Sequence, residues 1–257
     1  MLINFFFIFI LGLSIGSFAN VVIYRLPLGL SIINPPSFCI KCKKEIKWVH
    51  KFPILSWVYL QGKCFFCKLP ISFKYPLIEL LFGIIFTINF YYFSFSGLDQ
   101  DFINFFHFSI FSFFIIIIGF IDFENLKIPN VLIKYGILIN FFFLIVINFT
   151  NYDLTYIFSR VLGAITGFIG LELLVLLLYL LTNKYAFGGG DSKLFAFVGS
   201  FLGLKGLALT FMISIYSCGI FCILALLFKK IKKTDKIPFA PFISLSAYIV
   251  SLVSNIL

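Results

Sequence analysis

Ile115-Ile116-Ile117-Ile118-Gly119-Phe120-Ile121-Asp122 closes a long apolar run with a carboxylate, and Phe187-Gly188-Gly189-Gly190-Asp191-Ser192-Lys193 sets a second acid just beyond another such run. A charged side chain at the centre of a membrane helix costs about 2.5–3.5 kcal/mol on insertion scales, so acids beside hydrocarbon point to function. Two of them, next to flexible glycines, suggest a pair sharing one proton, because like charges push two pKa values apart. Asp122 and Asp191 are the candidate catalytic residues.

The surrounding sequence is of membrane type. Of 257 residues, 61% are hydrophobic and 12% charged, against about 25% charged in a soluble domain. Phe contributes 39 residues, and the Phe-rich runs read as lipid-facing or packed helix surface. Apolar runs of about 20 residues mark spanning helices. They fall at 2–24, 76–95, 102–121, 131–149, 157–182, 207–228 and 238–257. A shorter run, 194–204, precedes the sixth of these and reads as a tilted span or a re-entrant segment. The expected fold is an all-α polytopic membrane protein of about eight transmembrane helices, with seven as the alternative. Gly163/Gly167 and Gly199/Gly203 have GxxxG spacing, which serves close helix packing.

Charge placement orients the chain. Residues 25–75 hold nine basic groups and one acid, Glu45, and 229–236 hold five Lys and one Asp. The turn after the second helix carries Asp99 and Asp101, and the turn after the fourth carries Asp153. With eight passes and the N-terminus outside, 18 of the 20 basic residues fall in the cytoplasm, leaving Arg160 and Lys205 outside. That satisfies the positive-inside rule and puts both candidate acids at the cytoplasmic face. The net charge of +10 is then topological, and no nucleic-acid partner is needed. The first apolar run lacks a basic n-region and a clear cleavage site, so it reads as a retained span.

Cys39-Ile40-Lys41-Cys42 and Cys64-Phe65-Phe66-Cys67 form C-x2-C-x21-C-x2-C, just outside the usual linker length for a four-thiolate Zn2+ site. A cytoplasmic loop of about 50 residues with few core-forming runs draws much of its folding energy from such a metal. Free thiols or redox pairs are the alternatives. His50 reads as a surface residue, His107 as packed or interfacial, and Cys218 and Cys222 as packing residues inside a helix. The division is a first transmembrane helix at 1–24, a zinc-binding loop at 25–75 and a membrane-embedded domain at 76–257.

Five stretches, in order, resemble the type IV prepilin peptidases, bifunctional leader peptidase/N-methyltransferases of pilus and type II secretion systems. They are Gly12 through Pro27; the four-Cys loop with Pro53-Ile54-Leu55-Ser56-Trp57, Gly62-Lys63-Cys64 and Tyr75-Pro76-Leu77-Ile78-Glu79; Asp122 with Ile128-Pro129; Gly188 through Asp191 with Lys193-Leu194; and Pro238-Phe239-Ala240-Pro241-Phe242. The resemblance covers nearly the whole chain. It implies a bacterial inner-membrane aspartyl peptidase with Asp122 and Asp191 as the catalytic pair, supported by Gly188, Gly190 and Lys193. The implied substrates are prepilins or pseudopilins, cut in the cytoplasm after the Gly of a basic leader. The new N-terminus would then be methylated with S-adenosylmethionine, a function the family links to the Cys loop and here to Gly62 and Lys63. Asn130 stands where many members have Asp, and Ile40 where Pro is common. No glycine-rich dinucleotide fingerprint marks a methyl-donor site.

In such a pair one Asp is ionised to take a proton from water and the other is neutral to polarise the scissile carbonyl. Asp191 also reads as a plain N-cap for a helix starting at Ser192. Asp122 falls at a helix C-terminus, where the dipole disfavours a carboxylate, so Asp191 is the expected base and Asp122 the expected acid. Two other classes fit the residues: a transporter or assembly scaffold with a zinc docking loop, and a peptidase without methyl transfer. Transporters tend to carry internal repeats, and none stands out here.

Overall fold

The computed structural model describes residues 2–93, 100–151, 154–183, 187–230, 232 and 235–253. Asp99 and Asp153, used above for orientation, lie outside the described residues. The helices are α1 (Leu2–Arg25), α2 (Leu55–Tyr59), α3 (Lys74–Phe93), α4 (Gln100–Asn125), α5 (Asn130–Asn151), α6 (Leu154–Thr182), α7 (Gly189–Leu227) and α8 (Ala240–Val253). Among the described residues β-structure is limited to two isolated bridges, Phe38 with Glu45 and Lys63 with Pro70. Six helices, α1 and α3 to α7, are long and apolar enough to cross a membrane, and α8 is shorter. The chain divides into two compact units, Met1–Phe105 and Phe106–Leu257.

In the first unit α1 and α3 run antiparallel in one register. The rings of Phe5 and Phe90 lie 5.2 Å apart, and Asn20 donates its side-chain amide to the Tyr75 carbonyl at 3.0 Å. Between those points glycine brings the backbones together. A Cβ on Gly12 would stand 2.6 Å from the Phe82 carbonyl oxygen, and one on Gly16 2.7 Å from the Glu79 Cα.

In the second unit the same device joins α6 to the start of α7. A Cβ on Gly163 or on Gly199 would collide with the carbonyl oxygen of the other, and one on Gly167 would stand 2.5 Å from the Phe195 oxygen. The GxxxG reading holds: these glycines let two helices touch along their backbones. Around them lies an aromatic core, with Phe111 stacked on Phe201 at 4.8 Å and Phe197 edge-on to Phe201 at 5.0 Å. His107 is packed within it, stacked on Phe201 at 4.9 Å. Its Nε2 meets Asn140 Oδ1 at 2.7 Å, and Asn140 Nδ2 donates to the Ser200 carbonyl at 2.7 Å. Polar groups in a lipid-facing bundle need such internal partners.

The short run at 194–204 and the long one at 207–228 are two arms of α7. Gly203, at φ 68° and ψ −173°, occupies backbone space essentially reserved for glycine. The arms fold back on each other there: the rings of Phe195 and Phe211 are 5.6 Å apart, whereas a straight helix would separate them by about 24 Å. The first arm also begins at Gly189, earlier than the apolar run suggests, so Asp191 stands on the helix and not in the turn before it.

Gly199→Ala must push α6 and α7 apart and is expected to cost about 1–3 kcal/mol, the usual penalty of overpacking. Gly170 has open space at its Cβ, so Gly170→Ala should leave stability unchanged or raise it by up to about 1 kcal/mol through helix propensity. Thermal unfolding of both variants in one detergent checks the contrast.

Candidate active site and metal centre

Asp122 lies in the last turn of α4 and Asp191 in the first turn of α7, both buried. Each carboxylate accepts a backbone amide from a helix N-terminus. Ala240, which opens α8, donates to Asp122 Oδ2 at 3.1 Å. Gly188, the N-cap of α7, donates its backbone amide to Asp191 Oδ2 at 3.0 Å. The segment before α8 ties the two together: Phe239 packs on Phe187 at 5.3 Å and on Phe195 at 6.3 Å, while its neighbour Ala240 holds Asp122.

Asp122 and Asp191 stand at opposite ends of their own helices, as expected, and a second helix bears on Asp122. Asp122 does sit at the C-terminal end of its own helix, but its oxygen points to the positive end of α8, which offsets that dipole. Asp191 is not the N-cap; Gly188 is, and Asp191 reaches back from the third helical position. Both acids therefore accept one helix-N-terminal amide each.

Gly190 is needed for packing, since a Cβ there would stand 3.0 Å from the Ile128 Cβ. Gly188 is extended, at φ −80° and ψ 148°, a conformation open to any residue. Lys193 Nζ donates to Asn130 Oδ1 at 2.9 Å, which pins α7 to the start of α5. One further acid was not singled out by its sequence context: Glu172 of α6 accepts a hydrogen bond from Ser192, the residue after Asp191. Its signal was a lone acid inside an apolar helix, the same signal that drew attention to Asp122.

The Cys loop is built from two copies of one turn. Cys39 N–H donates to the Lys44 carbonyl and Lys43 N–H to the Cys39 carbonyl, at 2.9 and 2.8 Å. Cys64 with Leu69, and Lys68 with Cys64, repeat both bonds at 2.9 Å. Lys43 and Lys68, each following the second Cys of its pair, are left-handed at φ 61° and 56°. Together the knuckles bring Cys39, Cys42, Cys64 and Cys67 into a cluster whose sulfurs all lie within 4.8 Å of one another. Cys39 Sγ and Cys67 Sγ are 3.9 Å apart, close to the roughly 3.8 Å expected across a tetrahedral thiolate site with bonds of about 2.3 Å. The cluster could hold a metal ion. Burial pushes the Cys64 thiol up, but the amides of Cys67 and Phe66 and the neighbouring sulfurs outweigh it and bring it down to about 7. His50 stands outside the cluster, against the Phe65 ring at 4.8 Å.

Gly62 is left-handed at φ 68°, and a Cβ there would stand 2.8 Å from the Trp57 ring. Trp57 in turn donates its indole N–H to the Ile71 carbonyl at 3.2 Å. Gly62 therefore sits where the loop closes on itself, directly before Lys63 and the second knuckle.

A helical membrane bundle with two acids held at helix N-termini and a thiolate cluster after the first helix is the class of protein defined so far. The pattern of the bacterial peptidase A24 N-terminal domain matches residues 10–93, and that of the type IV leader peptidase family matches residues 109–223. A prepilin leader peptidase/N-methyltransferase of Neisseria gonorrhoeae is 30% identical over 94% of this chain and 87% of its own length. One of Bacillus subtilis (strain 168) is 33% identical over 92% and 89%, and one of Klebsiella pneumoniae 32% over 81% and 89%. No solved structure matches. The chain belongs to the type IV leader peptidase family.

Gly62→Ala places a side chain in left-handed backbone and against Trp57, and should destabilise the loop by about 1–3 kcal/mol. Cleavage of residues 26–73 by an added protease should quicken roughly tenfold, in step with the more frequent opening. An unchanged rate would show that the loop absorbs the methyl group.

Proposed function

We propose that the chain is a prepilin leader peptidase and N-methyltransferase of the bacterial inner membrane. It crosses the bilayer eight times with its N-terminus outside and its active site facing the cytoplasm. Residues 1–24 form the first span, 25–75 the metal-binding loop with the methyltransferase region, and 76–257 the peptidase domain. The observation that supports the reading is that Asp122 and Asp191 are both buried and each accepts one backbone amide from the start of a helix.

The ionised member of the pair takes a proton from water as the water oxygen attacks the scissile carbonyl carbon. The neutral member donates its proton to the carbonyl oxygen, and the departing amine is protonated as the tetrahedral species collapses. The amides of Ala240 and Gly188 hold the carboxylates in place without adding a cation that would lock both in the charged form. The substrate is a prepilin or pseudopilin cut after the Gly of its basic leader. Its new N-terminal amine is then methylated, S-adenosylmethionine supplying the methyl group. Gly62 and Lys63 serve this second step by holding the loop closed against Trp57, and Cys39, Cys42, Cys64 and Cys67 hold Zn2+. Gly190 and Lys193 support the peptidase site by seating α7 against Ile128 and Asn130. A transporter or scaffold is not favoured, since the matched relatives all carry the peptidase name.

Asp122→Asn and Asp191→Asn should each abolish cleavage of a prepilin peptide while leaving membrane insertion intact, because one acid cannot supply both protonation states. Measurable cleavage by either purified variant would remove the assignment. The wild-type rate should trace a bell against pH, falling on the acid side as the base protonates and on the alkaline side as the acid ionises. A flat acidic limb would contradict a titrating pair.

Purified protein should carry one zinc, read by elemental analysis. Replacing Cys39, Cys42, Cys64 and Cys67 by Ser should release it and reduce methylation more than cleavage. Full methylation by the four-Ser variant would separate the metal from that step.

A further inference from the structure

Apart from Trp57, against which Gly62 closes the loop, the segment from Trp48 to Tyr59 takes no part in the chemistry proposed above. Trp48, Val49, Phe52, Leu55, Val58 and Tyr59 are all exposed, Trp48 at 74% and Tyr59 at 79%. Leu55, Val58 and Tyr59 lie at i, i+3 and i+4 on the single turn of α2 and so share a face. Trp57, between them, turns the other way and packs on Phe73 at 5.6 Å. An exposed apolar patch on this scale marks a membrane or a partner.

Position decides between the two. The Ile54 amide donates to Glu79 Oε2 at 2.7 Å. Glu79 lies in the second turn of α3, about 7 Å along the helix from Lys74, and α3 is one of the spans. Gly16 of α1 touches the backbone of the same Glu79, nine residues before α1 ends at Arg25. The loop thus doubles back to the depth at which both helices enter the bilayer. Trp, Tyr and Phe are the side chains that settle at that depth. The charge agrees: residues 25–75 carry nine basic groups and one acid, and that acid, Glu45, is already met by Lys51 at 3.7 Å.

We propose that residues 48–59 are an interfacial anchor for the Cys loop. The exposed face of α2, with Trp48 and Phe52, inserts among the headgroups and upper acyl chains, and the excess positive charge of the loop draws it to anionic phospholipid phosphates. Clustered Lys beside buried apolar side chains is the pattern that binds an anionic leaflet. The anchor serves to keep the loop at a fixed height, and it does not depend on which reaction the loop supports.

The chain has two Trp, so the difference between wild-type and Trp48→Phe fluorescence reports Trp48 without disturbing the packed Trp57. The full chain is reconstituted in nanodiscs of phosphatidylethanolamine and phosphatidylglycerol bearing bromines high or low on the acyl chains. Trp48 emission should fall at least twofold with the shallow bromines and less with the deep ones. Aqueous iodide should quench it at least threefold less than free N-acetyltryptophanamide. Phe52→Glu with Leu55→Glu should restore iodide access, and replacing phosphatidylglycerol by phosphatidylcholine should weaken the lipid quenching at least twofold. Trp48 that is open to iodide and untouched by bromolipid overturns the proposal. So does shielding that appears only when a prepilin peptide is added, which would make the face a protein-docking surface. Equal lipid quenching with and without phosphatidylglycerol overturns the role given to the loop's positive charge. Cleavage and methylation assays are independent of all these readouts.

Discussion

A carboxylate buried in an apolar bundle needs a hydrogen-bond donor, and in the second unit Asp122 and Asp191 each take one from the start of a helix. A lysine or arginine beside Asp122 or Asp191 would favour the charged form strongly. A single backbone amide at a helix N-terminus favours it only mildly, typically by less than 1 kcal/mol. Supplying one such amide to each acid requires two helix starts close to the end of α4. The head of α7 provides one through Gly188, and the head of α8 provides the other through Ala240. Helix order in this unit follows from that: α8 must return to the end of α4, and Phe239 must sit against Phe187 and Phe195 for its neighbour to reach Asp122.

Depth follows from the same helices. From Phe102 to Asp122 is about 30 Å along α4, and from Leu154 to Glu172, level with Ser192, about 27 Å along α6. Both values match the roughly 30 Å hydrocarbon thickness, so both routes bring the acids to one boundary of the apolar layer. The fold-back at Gly203 lets the arm bearing Asp191 be short while its partner arm is full length. It also lets a second apolar surface, around Phe211, cover the first. Beyond the level of the acids α6 continues for another ten residues, with Leu173, Leu176, Leu177, Leu180 and Leu181 exposed along it.

What was legible in the sequence was whatever side-chain pattern encodes. Apolar runs marked the long helices, GxxxG spacing marked the α6–α7 contact, and paired CxxC marked the thiolate cluster. Backbone groups leave no such trace. Nothing about Ala240 announces that its amide will hold an acid 118 residues away. The two left-handed lysines of the knuckles hold positions usually given to glycine. The break at Gly203 was read as a gap between two runs because apolar residues continue on both sides of it. The dipole argument for Asp122 was incomplete for a related reason: it considered the helix that carries the acid and not the start of α8, whose amide meets it.

The loop after α1 obeys a different logic, because it has almost no core. Its far end is organised by the two knuckles, whose turns repeat residue for residue and whose sulfurs meet in one cluster. Its near end is organised by the membrane helices. Arg25 at the end of α1 donates to the Ser31 and Pro36 carbonyls at 3.1 Å, and Glu79 takes the Ile54 amide. Ile54 is left-handed at φ 58°, a costly state for a β-branched residue, so the Glu79 hydrogen bond holds a turn that the local sequence would not choose. Gly62 and Trp57 join the two ends. A loop fixed in this way is rigid at its base even before its thiolate cluster is filled.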